Sequence, residues 1–202
     1  MVSIESIVLE VPDPSAADAF YTGALDLGDR VRVRGSEAPT SGFRGFTLSL
    51  VVAQPSAVDH LVASALDAGA TEVKPVRKSL WGYGGVVQAP DGTICTLAAS
   101  SKKDTGSAER KVDDVVLQLG VEDVKASKQF YVDHGLTVAK SFGRKYVEFD
   151  MTGAPATLTL LGRTALAKTA GVSPEGTGSH RITIRSEAGP FTDPDGFTWE
   201  SV

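Results

Sequence analysis

Residues 6–27 read SIVLEVPDPSAADAFYTGALDL, and residues 114–136 read DVVLQLGVEDVKASKQFYVDHGL. This internal repeat constrains the fold more than any other feature, because a unit used twice must form one supersecondary structure and bury one kind of face. Each copy alternates apolar and polar residues as a strand does, turns at an acidic step, and continues as an amphipathic helix carrying Phe20-Tyr21 or Phe130-Tyr131. Both copies therefore read βα. Between them SSKKDTGSAERK is polar and without apolar periodicity, as a linker is. The pattern assigns a first half to residues 1–100, a linker to 101–111 and a second half to 112–202.

After the first βα unit come GFTLSLVVA, the helix-like SAVDHLVASALDAGA, and the short strands TEVKPV, GGVVQ and TICTLAA, which together read βαβββ. After the second come LTVAK, RKYVEFD and ATLTLLG, a helical stretch TALAKTAG, then HRITIR and the terminal FTWESV. The second half is thus βαβββ followed by bare strands. A Pro-Asp-Gly turn leads into the closing strand of each half, and the interval from Gly45 to Asp91 is about three times that from His180 to Asp195. A helix is missing from the end of the second half. Conversely, Tyr21 to Gly45 is about half the length of Tyr131 to His180, so the opening module of the first half is shortened. The expectation is that each complete module compensates for the other half's shortened one. Side-chain alternation agrees: Phe46, Leu48 and Leu50 form a face that a helix can cover, whereas Arg181, Thr183 and Arg185 form one that stays solvated.

The formal net charge of -5 argues against a phosphate-backbone partner, and the single Cys95 excludes an internal disulfide and a multi-cysteine zinc site. No apolar run approaches the roughly 20 residues of a membrane helix, and the N-terminus lacks a signal-type segment. The chain is expected to be cytoplasmic, with no nucleic acid and no membrane among its partners.

The paired strand-turn-helix units with Phe20-Tyr21 and Phe130-Tyr131, the stretch WGYGGVVQAPDGT and the ending EAGPFTDPDGFTWE resemble the vicinal oxygen chelate superfamily, which includes glyoxalase I, bleomycin-resistance proteins and extradiol dioxygenases. The resemblance implies an α+β fold of glyoxalase-like paired βαβββ modules forming curved mixed sheets, or cups, here with two partly truncated copies. It also implies metal ligands on the first and last strands of the modules, in those members that bind metal. Carried over, the first half offers Ser6, Gly45 and Thr96, none an ordinary ligand. The second offers Asp114, Thr159, His180 and Glu200, so Asp114, His180 and Glu200 are the candidate set for Fe(II), Mn(II), Ni(II) or Zn(II). Aspartate stands there where the family commonly has histidine. The bland readings remain beside it: a solvated strand start, a half-buried histidine and a terminal glutamate.

A small, partly apolar organic ligand would meet Glu10, Gln118, Tyr146 and Glu148 on the inner faces of strands, with Trp81 and Tyr83 placed to stack on a planar group or to pack a hairpin. His60 and His134 read as helix residues and Cys95 as a small core residue. Three functions stand open. The first is a small-molecule binding protein that uses no metal. The second is a metal-dependent lyase, isomerase or dioxygenase, and the third a degenerate relative acting through protein contacts, with a homodimer compatible with each.

Overall fold

The computed structural model describes residues 2–80, 82–107 and 111–202. The first half opens with β1 (Ile4–Val11), α1 (Pro14–Asp18) running into a π-helical turn (Ala19–Ala24), β2 (Val31–Gly35) and β3 (Thr40–Gly42). Asp13 caps α1 by accepting the Ala16 N–H, and Pro14 stands in its first turn, where a missing N–H costs nothing. A complete βαβββ module follows: β4 (Phe46–Val51), α2 (Pro55–Asp67), β5 (Thr71–Ser79), β6 (Gly82–Gln88) and β7 (Ile94–Ala99). The second half contains β8 (Asp114–Val121), α3 (Val124–Asp133), β9 (Val138–Ser141), β10 (Tyr146–Phe149) and β11 (Thr157–Gly162), another complete module. It ends with α4 (Arg163–Ala170), β12 (Gly176–Gly178), β13 (Ile182–Ser186), β14 (Phe191–Thr192) and β15 (Thr198–Glu200). No helix intervenes between His180 and Asp195, as the short interval requires.

The strands form two mixed sheets and a small ribbon, an α+β arrangement. One sheet has the order β5-β6-β7-β4-β8-β11-β10-β9, the other β14-β15-β13-β1-β2, and β12 pairs with β3. The two complete modules thus join each other, β4 antiparallel to β8, and the two shortened modules join each other, β1 antiparallel to β13. Each complete module thus takes as its neighbour the complete module of the other half, and each shortened one the other shortened one. The reason lies in strand count: four strands meet four across β4 and β8, whereas the two-strand remnant β1-β2 meets the three-strand remnant β13 to β15.

One apolar cluster runs through both sheets, with Ile7, Leu9, Leu48, Leu50, Leu97, Leu117, Leu119 and Ile184 all fully buried beside residues of α1 and α2. At about 1.5–3 kcal/mol per buried aliphatic side chain, this layer dominates stability. Two tyrosines pin helices to turns within it. Tyr21 donates to Asp91 at 2.7 Å, and Tyr131 donates to Asp193 at 2.5 Å, each reaching the turn that precedes the closing strand of its own half. The sheets therefore join one half to the other, while the tyrosines tie the modules within each half. Strand parity puts a second, smaller cluster on the opposite face of the eight-stranded sheet, where Leu166, Ala167 and Ala170 of α4 cover Val86, Ile94 and Phe43. No helix among the described residues is long and apolar enough to cross a membrane.

Candidate functional site

The helix-free face of the five-stranded sheet carries a charged cluster. Glu10 of β1 pairs in register with Arg34 of β2, so their side chains rise together. Arg34 donates to Glu10 at 2.8 Å, to Glu200 at 2.9 and 3.3 Å, and to the Thr183 hydroxyl at 2.9 Å. The Glu10 hydrogen bond, ahead of opposing desolvation and of a further contribution from Glu200, raises the Arg34 pKa above its ordinary value. The two carboxylates of this face therefore already hold a cation, the Arg34 guanidinium.

The remaining members of the sequence-derived metal set are elsewhere. Asp114 lies on β8 of the other sheet and accepts from Thr157 at 3.1 and 3.3 Å. His180 precedes β13, with Nδ1 2.5 Å from the Arg44 carbonyl, Nε2 3.0 Å from the Asp195 carbonyl and its ring stacked on Phe197. Both nitrogens thus face backbone carbonyls, to one of which a neutral imidazole can donate. Asp114, His180 and Glu200 do not converge, because β8 pairs with β4 whereas β13 and β15 continue the sheet of β1. Among the described residues no group of three or more His, Cys, Asp or Glu side chains is placed to hold a metal ion. The donors present do not fit the metal that the resemblance implies. Gly45 shows how tightly the His180 region is packed: its φ is +84°, and an added Cβ would lie 2.5 Å from Arg163 Nη1 and 3.4 Å from the His180 ring.

The face of the eight-stranded sheet opposite α2 and α3, on which only α4 packs, is built as polar rows. Register aligns Thr47, Gln118, Thr159, Glu148 and Lys140 across five strands. Thr47 donates to the Gln118 side-chain carbonyl at 3.0 Å, and both Tyr146 and Lys140 donate to Glu148 at 2.8 Å. Burial alone would raise the Glu148 pKa, but the Lys140 and Tyr146 hydrogen bonds outweigh it and hold the carboxyl below its ordinary value. The Thr159 hydroxyl is buried with no hydrogen-bond partner among the described residues. Gln118, Tyr146 and Glu148 thus share one face, whereas Glu10 belongs to the other sheet.

Beside these rows the same face opens into a groove of about 280 Å³ over β5, β6 and β7. Two further rows cross it: Lys74, Val86, Thr96 and Ser49, then Arg77, Gly84, Ala98 and Val51. Thr169 of α4 closes one side. Gly84 is needed because a Cβ there would lie 2.5 Å from the Leu97 carbonyl of the neighbouring strand. Tyr83 borders the groove, and its hydroxyl donates to Asp59 of α2 at 2.7 Å on the helix side. Trp81 lies outside the described residues. Cys95 is a buried core residue whose thiol pKa burial pushes up, and His134 ends α3 with Nδ1 2.8 Å from the Phe130 carbonyl.

Sequence reasoning missed Arg34, Lys74, Arg77 and Thr169. A signal for Arg34 existed in DRVRVRG, where valine alternates with arginine at the period of a strand. Lys74 and Arg77 are obscured by register shifts in β5, which break simple alternation, and Thr169 enters only through long-range packing of α4.

No family model matches the chain, and no curated protein matches it in sequence. Solved structures do match. Glyoxalase I from Zea mays is 15% identical with a TM-score of 0.61, covering 100% of this chain and 92% of that one. Its V278E mutant gives 16% identity and a TM-score of 0.62. A putative dioxygenase from Bacillus subtilis subsp. subtilis str. 168 is 15% identical with a TM-score of 0.56, covering 91% of this chain and 69% of that one. The fold is that of the glyoxalase and dioxygenase structures, and the resemblance to the vicinal oxygen chelate superfamily holds at the level of fold.

Proposed function

We propose that the chain binds a small, partly apolar organic molecule on the α4 side of its eight-stranded sheet, without a metal held by its own side chains. The observation that carries this reading is the groove of about 280 Å³ over β5 to β7, where Val86 and Ala98 supply apolar floor and Thr96, Ser79 and Thr169 supply hydroxyls. Apolar walls with a few polar groups are the usual composition of a small-molecule site. The pairing of complete modules is relevant too, because it leaves this face broad while α4 closes one end of it.

The relatives' names, a glyoxalase I and a putative dioxygenase, denote different chemistries, and fold does not choose between them. The donor chemistry favours binding. The two carboxylates of the five-stranded sheet are bridged by Arg34, and the first and last strands of the complete modules present mainly hydroxyls and an amide.

The reading is tested by a fragment screen of mixed charge followed in ¹H–¹⁵N NMR spectra, with Ala98→Trp as the groove-filled variant. Shifts confined to groove amides, and abolished in the variant, are the expected outcome. A screen in which no fragment perturbs Thr96, Ala98 or Thr169 would sink the proposal.

A further inference from the structure

The two cations of the groove are in different situations. Lys74 Nζ donates to the Thr169 carbonyl at 2.5 Å and to that of Lys168 at 3.3 Å, so it caps the C-terminal end of α4, where a positive charge is favoured. Arg77 pairs in register with Gly84 on the same face as Lys74, and its guanidinium has no partner among the described residues. Among the described residues no acidic one lines the groove. Glu72 pairs with Val87, a residue of the helix-side core, and so belongs to the other face. Asp114 stands in the same row as Arg77 but four strands away, roughly 19 Å at the usual strand spacing. Salt screens charges at that distance.

A chain of net charge -5 thus contains a groove with two cations and no carboxylate among its described lining residues. We infer that its ligand is a small organic anion, a carboxylate on an apolar body, with the charged end taken by Arg77 and the body laid over Ala98 and Val86; this rests on the small-molecule reading above. A guanidinium offers parallel N–H donors that match a carboxylate in bidentate fashion. The groove volume suits a body about the size of one ring. Thr96, pairing with Val86 in the adjacent row, provides a hydroxyl beside that floor.

The test uses benzoate and its uncharged analogue benzamide, titrated by NMR against the native chain and the Arg77→Ala and Arg77→Lys variants. Benzoate is expected to shift the Thr96 and Ala98 amides and to bind at least tenfold more tightly than benzamide. Arg77→Ala should weaken benzoate tenfold or more and leave benzamide unchanged, and Arg77→Lys should retain part of the difference. Arg77 is exposed, so a native-like spectrum of each variant checks the fold. Equal binding of the two probes, an unchanged benzoate affinity in Arg77→Ala, or no benzoate shift at all would overturn the inference. If uncharged fragments still bind the groove, only the anion assignment falls; if no fragment of any charge binds there, the small-molecule reading falls with it.

Discussion

Arg34 reaches from β2 to Glu200 on β15, with its Nη1 2.9 Å from one carboxylate oxygen and 3.3 Å from the other. Residues 166 positions apart are thereby joined through the sheet built from the two shortened modules. The guanidinium also holds Glu10, so a cation belonging to the chain itself stands between two carboxylates.

Because Arg34 and Glu200 are both about two-fifths exposed, the cluster contributes little stability. Arg34→Met is expected to cost about 1 kcal/mol or less, with the difference shrinking in high salt, as urea denaturation at two ionic strengths would read. The native chain should also carry far less than one equivalent of Fe, Mn, Ni or Zn by elemental analysis. A stoichiometric metal would contradict the assignment of Arg34 as the resident cation.

Tyr131→Phe removes the donor to Asp193 and should cost about 2 kcal/mol, since a buried acceptor loses its partner. Desolvation raises the Asp193 pKa above its ordinary 3.8, and the Tyr131 hydrogen bond partly offsets that rise. A carboxyl with a raised folded pKa gives its full stabilising contribution below the unfolded value and loses it as pH rises through the folded value. Without the tyrosine the folded pKa rises further. The variant's deficit should therefore be larger at pH 7 than at pH 4, which denaturation at the two values would show.

Glu148 has the opposite sign. Its folded pKa is held below the ordinary 4.5 by Lys140 and Tyr146 against the effect of burial, so its contribution is complete above 4.5 and lost as pH falls through the folded value. Tyr146→Phe should move the Glu148 carboxyl upward in a ¹³C NMR titration. An unchanged or lowered value would mean that the hydroxyl does not stabilise the carboxylate.

Gly45→Ala combines a positive φ with a close approach to Arg163 and His180, and should cost about 2 kcal/mol or more. Thermal or urea denaturation measures it, and a loss below half that amount would show that the junction before β4 relaxes freely.

Much of this fold is legible in the chain because the repeated βα unit and the alternation in GFTLSL and TICTLAA are local patterns. Which module pairs with which is not local. The meeting of β4 with β8 and of β1 with β13 depends on matched strand counts and on the shared core. The failure of the Asp114, His180 and Glu200 set follows directly, for it assumed one sheet where there are two. Tyr146 and Glu148 share a face by strand parity, which the sequence carries, whereas Gln118 joins them through register across β8, β11 and β10, which it does not. Lys74 and Thr169 meet, and Arg77 joins their groove, only after register shifts in β5 and the return of α4, neither of which the sequence pattern encodes.

The most direct measurement is a crystal structure of the chain soaked with a fragment selected by NMR from the mixed-charge screen. The account predicts electron density over Val86, Thr96 and Ala98 beside α4 on the eight-stranded sheet, with no metal between the fragment and the chain. Density instead on the five-stranded sheet, seated on a metal held by Glu10 and Glu200 with Arg34 displaced, would contradict it.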